Sequence, residues 1–235
     1  MGEMQYSDAR ELFHRYEIDL TEKAFRLFAE YAALLLQESE VQNVTAVRSE
    51  DEIWTRHFLD SAYILRDLPD CSRIIDIGTG GGVPGIPLSI LNPSLNITLL
   101  DSELRKIEFC NRCIQALDLR AEAICGRAEE LAHEAAYREQ FDFAVSRAMA
   151  SGTMLSELAL PFVRIGGRLI AMKGRGYDPS FERFESAAPV LGGVLRDPIP
   201  YELEGEQKTL IIVEKAEQTD AKYPRRFAKI KRNPL

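Results

Sequence analysis

The sequence predicts an α/β fold of Rossmann-like type: a mainly parallel, seven-stranded sheet with helices on both faces, a terminal β-hairpin and an N-terminal helical extension. Three observations carry that expectation. The apolar run Ile74-Ile75 leads into Asp76-Ile-Gly-Thr-Gly-Gly-Gly82, which reads as a strand ending in an acid and a glycine-rich turn. A second apolar run, Ile97-Thr98-Leu99-Leu100, ends in Asp101. From residue 72 onward short β-rich runs alternate with helical stretches, the signature of a parallel sheet covered on both faces.

Residues 7 to 66 read as helices. Ala24, Leu27, Phe28, Tyr31, Leu34 and Leu35 recur at three- and four-residue spacing and form one apolar stripe. Ser49 followed by Glu52 is a capping box that opens a helix carrying Trp54, Phe58 and Leu65. Strands are expected near 73 to 77, 96 to 101, 121 to 125, 141 to 146, 167 to 173, 199 to 204 and 209 to 215. Pro84 sits where the helix after the glycine turn should begin, a position at which its missing N–H costs nothing. Only Gly205-Glu206-Gln207 separates the last two strands, too little chain for a crossover helix, so they should form an antiparallel hairpin at a sheet edge. The divisions are 1–70, a helical extension; 71–216, the α/β domain; and 217–235, a C-terminal tail.

Composition limits the function classes. With 46% hydrophobic residues in 235, the chain can bury one full α/β core and a smaller appendage. Charged or polar residues, glycine and proline keep every apolar run well short of the ~20 residues needed to span a bilayer, and the N-terminus lacks an apolar signal core. A cytoplasmic protein is expected. Four cysteines and three histidines are too scattered for a disulfide framework or a structural metal site, and Cys110-x-x-Cys113 falls inside a helical pattern with no second pair to close a tetrahedron. The net charge is −8, yet residues 216 to 235 hold 6 Lys+Arg against 2 Asp+Glu. Such a tail either contacts phosphates or is simply solvated.

The glycine turn narrows the chemistry. Gly80, Gly82 and Gly85 satisfy the loose dinucleotide spacing, but Asp76 just ahead of the turn would repel a pyrophosphate and attract an amine or sulfonium. S-adenosylmethionine therefore fits better than NAD, and bare backbone at Gly78, Gly80 and Gly82 would let it lie close. Asp101 is placed to accept from ribose hydroxyls. The terminal hairpin also favours the methyltransferase arrangement over the dehydrogenase one. A module that binds the cofactor without catalysis is the remaining alternative.

The chain closely resembles the glucose-inhibited division protein B family, bacterial methyltransferases acting on N7 of a guanine in small-subunit ribosomal RNA. The landmarks are Asn43-Val-Thr-Ala-Val47, His57-Phe-Leu-Asp-Ser61, Asp76-Ile-Gly-Thr-Gly-Gly-Gly-Val-Pro-Gly-Ile-Pro-Leu88, Leu99-Leu-Asp-Ser102, Arg127-Ala-Glu-Glu130, Ser146-Arg-Ala148, Met172-Lys-Gly174 and Lys222-Tyr-Pro-Arg225. The resemblance implies S-adenosylmethionine as cofactor, with S-adenosylhomocysteine as product, and cofactor contacts at Gly78, Val83, Ala128, Glu129 and Arg147. Val83 departs from the family, which often carries Phe or Leu there. The implied partner is 16S ribosomal RNA or the small ribosomal subunit, met by a monomer. Arg147, at a strand's carboxyl end, can pair with the cofactor carboxylate or with an RNA phosphate. Lys173 is a solvated lysine or a phosphate contact, and Arg225, Arg226, Lys229, Lys231 and Arg232 of the tail are expected to face RNA without affecting the cofactor. His57 and Asp60 lie at i and i+3 and invite an acid/base reading, but guanine N7 carries a lone pair and no proton. A positioning role for this pair is expected.

Overall fold

The computed structural model describes residues 4–42, 44, 45, 47 and 49–235; positions 43 and 46 of the first landmark lie outside the described residues. Ahead of the sheet come α1 (Tyr6–His14), α2 (Glu22–Ser39), α3 (Glu50–Ile53), a π-helical turn (Trp54–Leu59), α4 (Asp60–Tyr63) and a 3-10 turn (Leu65–Asp67). There follow β1 (Arg73–Ile77), α5 (Gly85–Leu91), β2 (Asn96–Asp101), α6 (Leu104–Ala116), β3 (Ala121–Cys125), α7 (Ala128–Leu131), β4 (Phe141–Arg147) and α8 (Gly152–Ala159). After a second 3-10 turn (Leu160–Phe162) come β5 (Val163–Lys173), α9 (Pro179–Glu182), α10 (Phe184–Val190), β6 (Gly193–Leu195), β7 (Ile199–Leu203), β8 (Glu206–Lys215) and α11 (Phe227–Arg232).

The sheet order is β3-β2-β1-β4-β5-β8, parallel as far as β5 and antiparallel from β5 to β8. β7 and β6 share the outer edge of β8, one at each end. All seven expected strands are present. The eighth, β6, is three residues long and offers too little sequence to show an alternation. The hairpin turns at Glu204-Gly205, and both residues have positive φ (48° and 77°), as a two-residue turn matched to the twist of its strands requires.

Side chains alternate between the two faces of each strand. Ile74, Ile97, Leu99, Ile170 and Leu210 point into a core shared with α1, α2, α5, α6 and the π-turn, whereas Ile75, Leu100, Leu169, Ala171 and Ile211 point into a second core with α8 and α10. The helical extension is thus part of the first core. Its apolar stripe buries an aromatic cluster in which Phe28 stacks on Phe58 (4.4 Å between centroids) and Trp54 meets Phe58 edge-on (5.2 Å). Full burial of each such ring stabilises the fold by about 1.5–3 kcal/mol. The helices start where caps are available: Thr21 Oγ1 accepts from Ala24 N (3.1 Å) and Ser49 Oγ from Glu52 N (3.4 Å).

A polar clasp completes the joint. Arg147, the last residue of β4, donates from Nη1 to the Arg56 carbonyl (2.5 Å) and to Asp60 Oδ2 (3.2 Å), and from Nη2 to His57 Nδ1 (2.8 Å). A guanidinium has only donors, so Nδ1 accepts and the ring proton sits on Nε2, which donates to Thr45 Oγ1 (2.6 Å). Asp60 also accepts from Tyr201 Oη (2.9 Å) and pairs with Lys208 Nζ (3.1 Å), linking the extension to the hairpin. Among the described residues His57 and Asp60 do not bond each other; they meet at Arg147.

Burial, and then the positive charge of Arg147, lower the His57 pKa from 6.5 to about 3. A depressed pKa contributes stability that is present above pH 6.5 and is lost as the pH falls toward 3, because only the unfolded chain takes up the proton. Between pH 7 and 5 the unfolding free energy should therefore fall by about 2 kcal/mol more in the native protein than in His57→Asn. Denaturant titrations of both proteins across that range measure the difference, and equal slopes would mean that the folded protein protonates His57 freely.

Candidate active site

The glycine turn leaves β1 at the carboxyl edge of the parallel strands, where α/β sheets place ligands. Asp76 fastens it from below. The Asp76 Oδ2 accepts from Thr79 Oγ1 (2.6 Å) and from Gly85 N (3.0 Å), so one carboxylate oxygen holds both ends of the loop. Its Oδ1 is buried with no hydrogen-bond partner among the described residues. Burial pushes the Asp76 carboxyl up to about 6, against the lowering effect of its two hydrogen bonds. The extension fastens the turn from behind: Tyr31 Oη donates to the Gly81 carbonyl (2.6 Å), and a Cβ at Gly81 would lie 3.1 Å from the Val44 carbonyl oxygen and 3.2 Å from Leu35 Cδ2. A side chain at Gly81 would thus press on both α2 and the Val44 backbone.

Two cavities open on this edge. The first, about 400 Å³, crosses the ends of β3, β2, β1 and β4 and is lined by Gly78, Asp101, Ala128, Glu129, Met149 and Phe227, among others. The second, about 340 Å³, lies beyond β4 and is lined by Asp60, Arg147, Met172, Lys173, Tyr201 and Lys208, with others. The segment Ala148-Met149-Ala150 lines both. Ala148 and Ala150 have φ of 54° and 38°, a left-handed backbone that alanine adopts only under constraint.

The first cavity suits an adenosine-bearing cofactor. Gly78 has φ +70°, a backbone that favours glycine, and a Cβ there would lie 2.6 Å from Met149 Sδ and displace that side chain. Asp101 stands midway along it; its Oδ2 accepts from Gly80 N (3.0 Å) and its Oδ1 from Glu103 N (2.9 Å), which fixes the carboxylate while leaving lone pairs for ribose hydroxyls. Ala128 and Glu129 follow β3 at the far end, with Arg127 Nη1 3.4 Å from Glu129 Oε1.

Other expected contacts are placed differently. Asp76 is fully buried beneath the turn and does not line the cavity. Gly80 and Gly82 serve the turn's own packing: Gly80 N is held by Asp101, and a Cβ on Gly82 would strike Ile86 Cδ1 at 2.4 Å. Val83 is buried in the core shared with the extension. Arg147 faces the second cavity and is held by the clasp. Lys173 is no solvated lysine: it is 9% exposed and bonds to Glu182 Oε2 (2.9 Å) and the Ala150 carbonyl (3.2 Å). Arg225 forks onto the fully buried Glu157 through Nε (2.8 Å) and Nη2 (2.6 Å) and also donates its backbone N–H. Removing one partner of such a buried pair costs about 3–5 kcal/mol, so Arg225 anchors the tail and is not free to meet RNA. Arg226, Lys229, Lys231 and Arg232 are exposed.

Tyr201, Lys208, Glu182, Met149 and Phe227 line the cavities without standing out in the sequence. The first two look like ordinary strand residues, and Phe227 sits within a stretch whose charge is its only evident signal. Cys110 and Cys113 are buried on α6, where burial raises both thiols, that of Cys113 to about 12, so neither is a reactive thiolate. Among the described residues no group of His, Cys, Asp and Glu is arranged to hold a metal.

Known proteins share this fold. The fold matches a putative methyltransferase from Bacillus halodurans (TM-score 0.52, 12% identity, 67% of this chain and 99% of that one) and TrmN from Thermus thermophilus (TM-score 0.52, 18% identity, 69% and 53%). In sequence, the chain is 39% identical over 223 residues to the ribosomal RNA small subunit methyltransferase G of Clostridium botulinum, covering 93% of each. It is 40% identical over 228 residues to the protein of that name from Carboxydothermus hydrogenoformans, covering 95% of this chain and 97% of the relative. The family model described as rRNA small subunit methyltransferase G matches residues 24–197, a span that holds the glycine turn, the Asp76 fastening and most of the residues lining both cavities. The chain therefore belongs to the rRNA small subunit methyltransferase G family of S-adenosylmethionine-dependent enzymes.

Proposed function

We propose that the protein transfers a methyl group from S-adenosylmethionine to N7 of a specific guanine in 16S ribosomal RNA, without a general base. The observation that carries this reading is the common wall at Ala148–Ala150: a cavity suited to the cofactor adjoins one of about 340 Å³, roomy enough for a purine. The bound cofactor supplies an electrophilic methyl group. As the N7–methyl bond forms, the sulfur–methyl bond breaks; the positive charge passes to the purine, and no proton moves.

The residues of the second cavity suit that requirement. His57 is neutral at physiological pH, and both of its ring nitrogens are committed, to Arg147 and to Thr45. It orients Arg147, and neither its N–H nor its lone pair is free to serve the reaction. Arg147, Lys208 and Lys173 are each paired with Asp60 or Glu182, so they shape the cavity and hold its walls in register. Positioning of nucleophile and methyl group in line, with water excluded, supplies the acceleration. The Hoogsteen edge of a paired guanine lies in the deep, narrow major groove of A-form RNA, so the target guanine enters the cavity unpaired. Of the basic residues in the tail, Arg226, Lys229, Lys231 and Arg232 are the exposed phosphate contacts of this reading. We read the protein as a monomer acting in the cytoplasm; no helix among the described residues is long and apolar enough to cross a membrane.

Two outcomes test this function. RNA carrying 7-deazaguanine at the target should bind with little loss and accept no methyl group in a single-turnover assay, whereas normal transfer would exclude N7; mapping N7-methylguanine in ribosomal RNA from cells with and without the protein identifies the position. Replacing Arg226, Lys229, Lys231 and Arg232 together by Gln should weaken RNA binding and flatten the plot of log K against log salt concentration by about 0.7–0.9 for each phosphate that the variant no longer neutralises. An unchanged slope would leave α11 a solvated surface.

A further inference from the structure

We propose that Phe227, on the C-terminal helix, is a cofactor-contacting residue whose ring stacks on the adenine. The proposal rests on the assignment of the first cavity to S-adenosylmethionine and names a wall of that site contributed from outside the sheet.

Strand order sets the direction of the ligand. The cavity runs along the ends of β3, β2, β1 and β4, with Asp101 at the end of β2 and Gly78 beside the Ala148–Ala150 wall that leads to the second cavity. A cofactor with its ribose at Asp101 and its methyl group toward that wall must lay its purine over the end of β3. There the lining is Gly126, Arg127, Ala128, Glu129 and Leu158, together with Phe227. The Arg127 guanidinium lies 5.8 Å from the centroid of the Phe227 ring, which places the ring at the β3 end.

The ring is both available and held. Phe227 is 36% exposed, unusually open for an aromatic side chain on a packed element, and this exposure is beside a cavity. The segment that carries it is fixed at several points. Arg225 forks onto buried Glu157; His133 Nε2 lies 2.8 Å from the Pro224 carbonyl; Arg138 donates to the carbonyls of Tyr223 (3.0 Å) and Thr219 (2.7 Å); and Ile230 is fully buried. An aromatic ring carried on a segment so held, beside a slot whose lining includes the apolar Ala128, Met149 and Leu158, fits a purine, since little of the chain has to be ordered on binding.

Calorimetry on the full chain tests this, with S-adenosylhomocysteine and with 5′-methylthioadenosine, which keeps the adenosine half alone. Phe227→Ala should bind both ligands about 5- to 150-fold more weakly, by a similar factor for each, which is the scale of base–aromatic stacking. Phe227→Tyr should stay within about threefold of the native chain, and Phe227→Leu, which keeps apolar bulk without the ring, should fall toward the alanine variant. Native-like binding by Phe227→Ala or Phe227→Leu would overturn the proposal, as would a loss seen with S-adenosylhomocysteine but not with 5′-methylthioadenosine. Should Phe227→Ala melt prematurely, the Leu and Tyr variants decide between ring and bulk. Failure of the native chain to bind either ligand would instead remove the cofactor assignment itself, and the proposal with it.

Discussion

The site depends on one constraint: the glycine turn after β1 must be held open against its own flexibility. Three glycines in a row lose more conformational entropy on ordering than any other tripeptide, so a turn of this composition stays in place only if its surroundings impose the shape. Asp76 does so from below, spanning the loop from Thr79 to Gly85 with one oxygen. Tyr31 and Leu35 do so from behind, and Asp101 from the side through Gly80 N. Burying a carboxylate for this purpose is costly, and the raised Asp76 pKa records the cost.

The helical extension follows from the same constraint. A Rossmann-like sheet can cover both faces with its own crossover helices, yet here α2 is pressed against the turn, and the π-turn and the first residue of α4 bring His57 and Asp60 to the end of β4. An inserted residue widens a helix locally and re-aims its side chains, a feature common at functional sites. The consequence is that Arg147 belongs electrostatically to the extension: its charge meets the Asp60 carboxylate, and its remaining donors meet neutral acceptors.

The distribution of charge resolves an apparent conflict between a chain of net charge −8 and an RNA substrate. The cations lining the second cavity are all paired, so they add little to long-range attraction. The tail adds exposed positive charge at Arg226, Lys229, Lys231 and Arg232, the last three on α11, which also carries Phe227 to the first cavity. Docking that helix by a buried Arg225–Glu157 pair means that a nominally separate tail is built into the domain.

Elements whose signals are local could be read from residue order alone. Short β-rich runs located β1 to β4 within a residue, the short link read at Gly205-Glu206-Gln207 implied the hairpin, whose turn the fold puts at Glu204-Gly205, and the acid-then-glycine pattern of residues 76–82 marked the carboxyl edge of the sheet as the ligand site. Motif spacing also pointed to the right family. It could not distinguish which acids and bases face a cavity and which are buried supports, because that depends on burial and on which partners the fold brings up, near ones such as Glu182 for Lys173 and distant ones such as His57 for Arg147, Asp60 for Tyr201 and Glu157 for Arg225. Asp76, Lys173 and Arg225 look like ligand contacts when only their type and position are known. Tertiary structure makes them fasteners, because a charged group withdrawn from water needs a fixed partner, and only the folded chain supplies one.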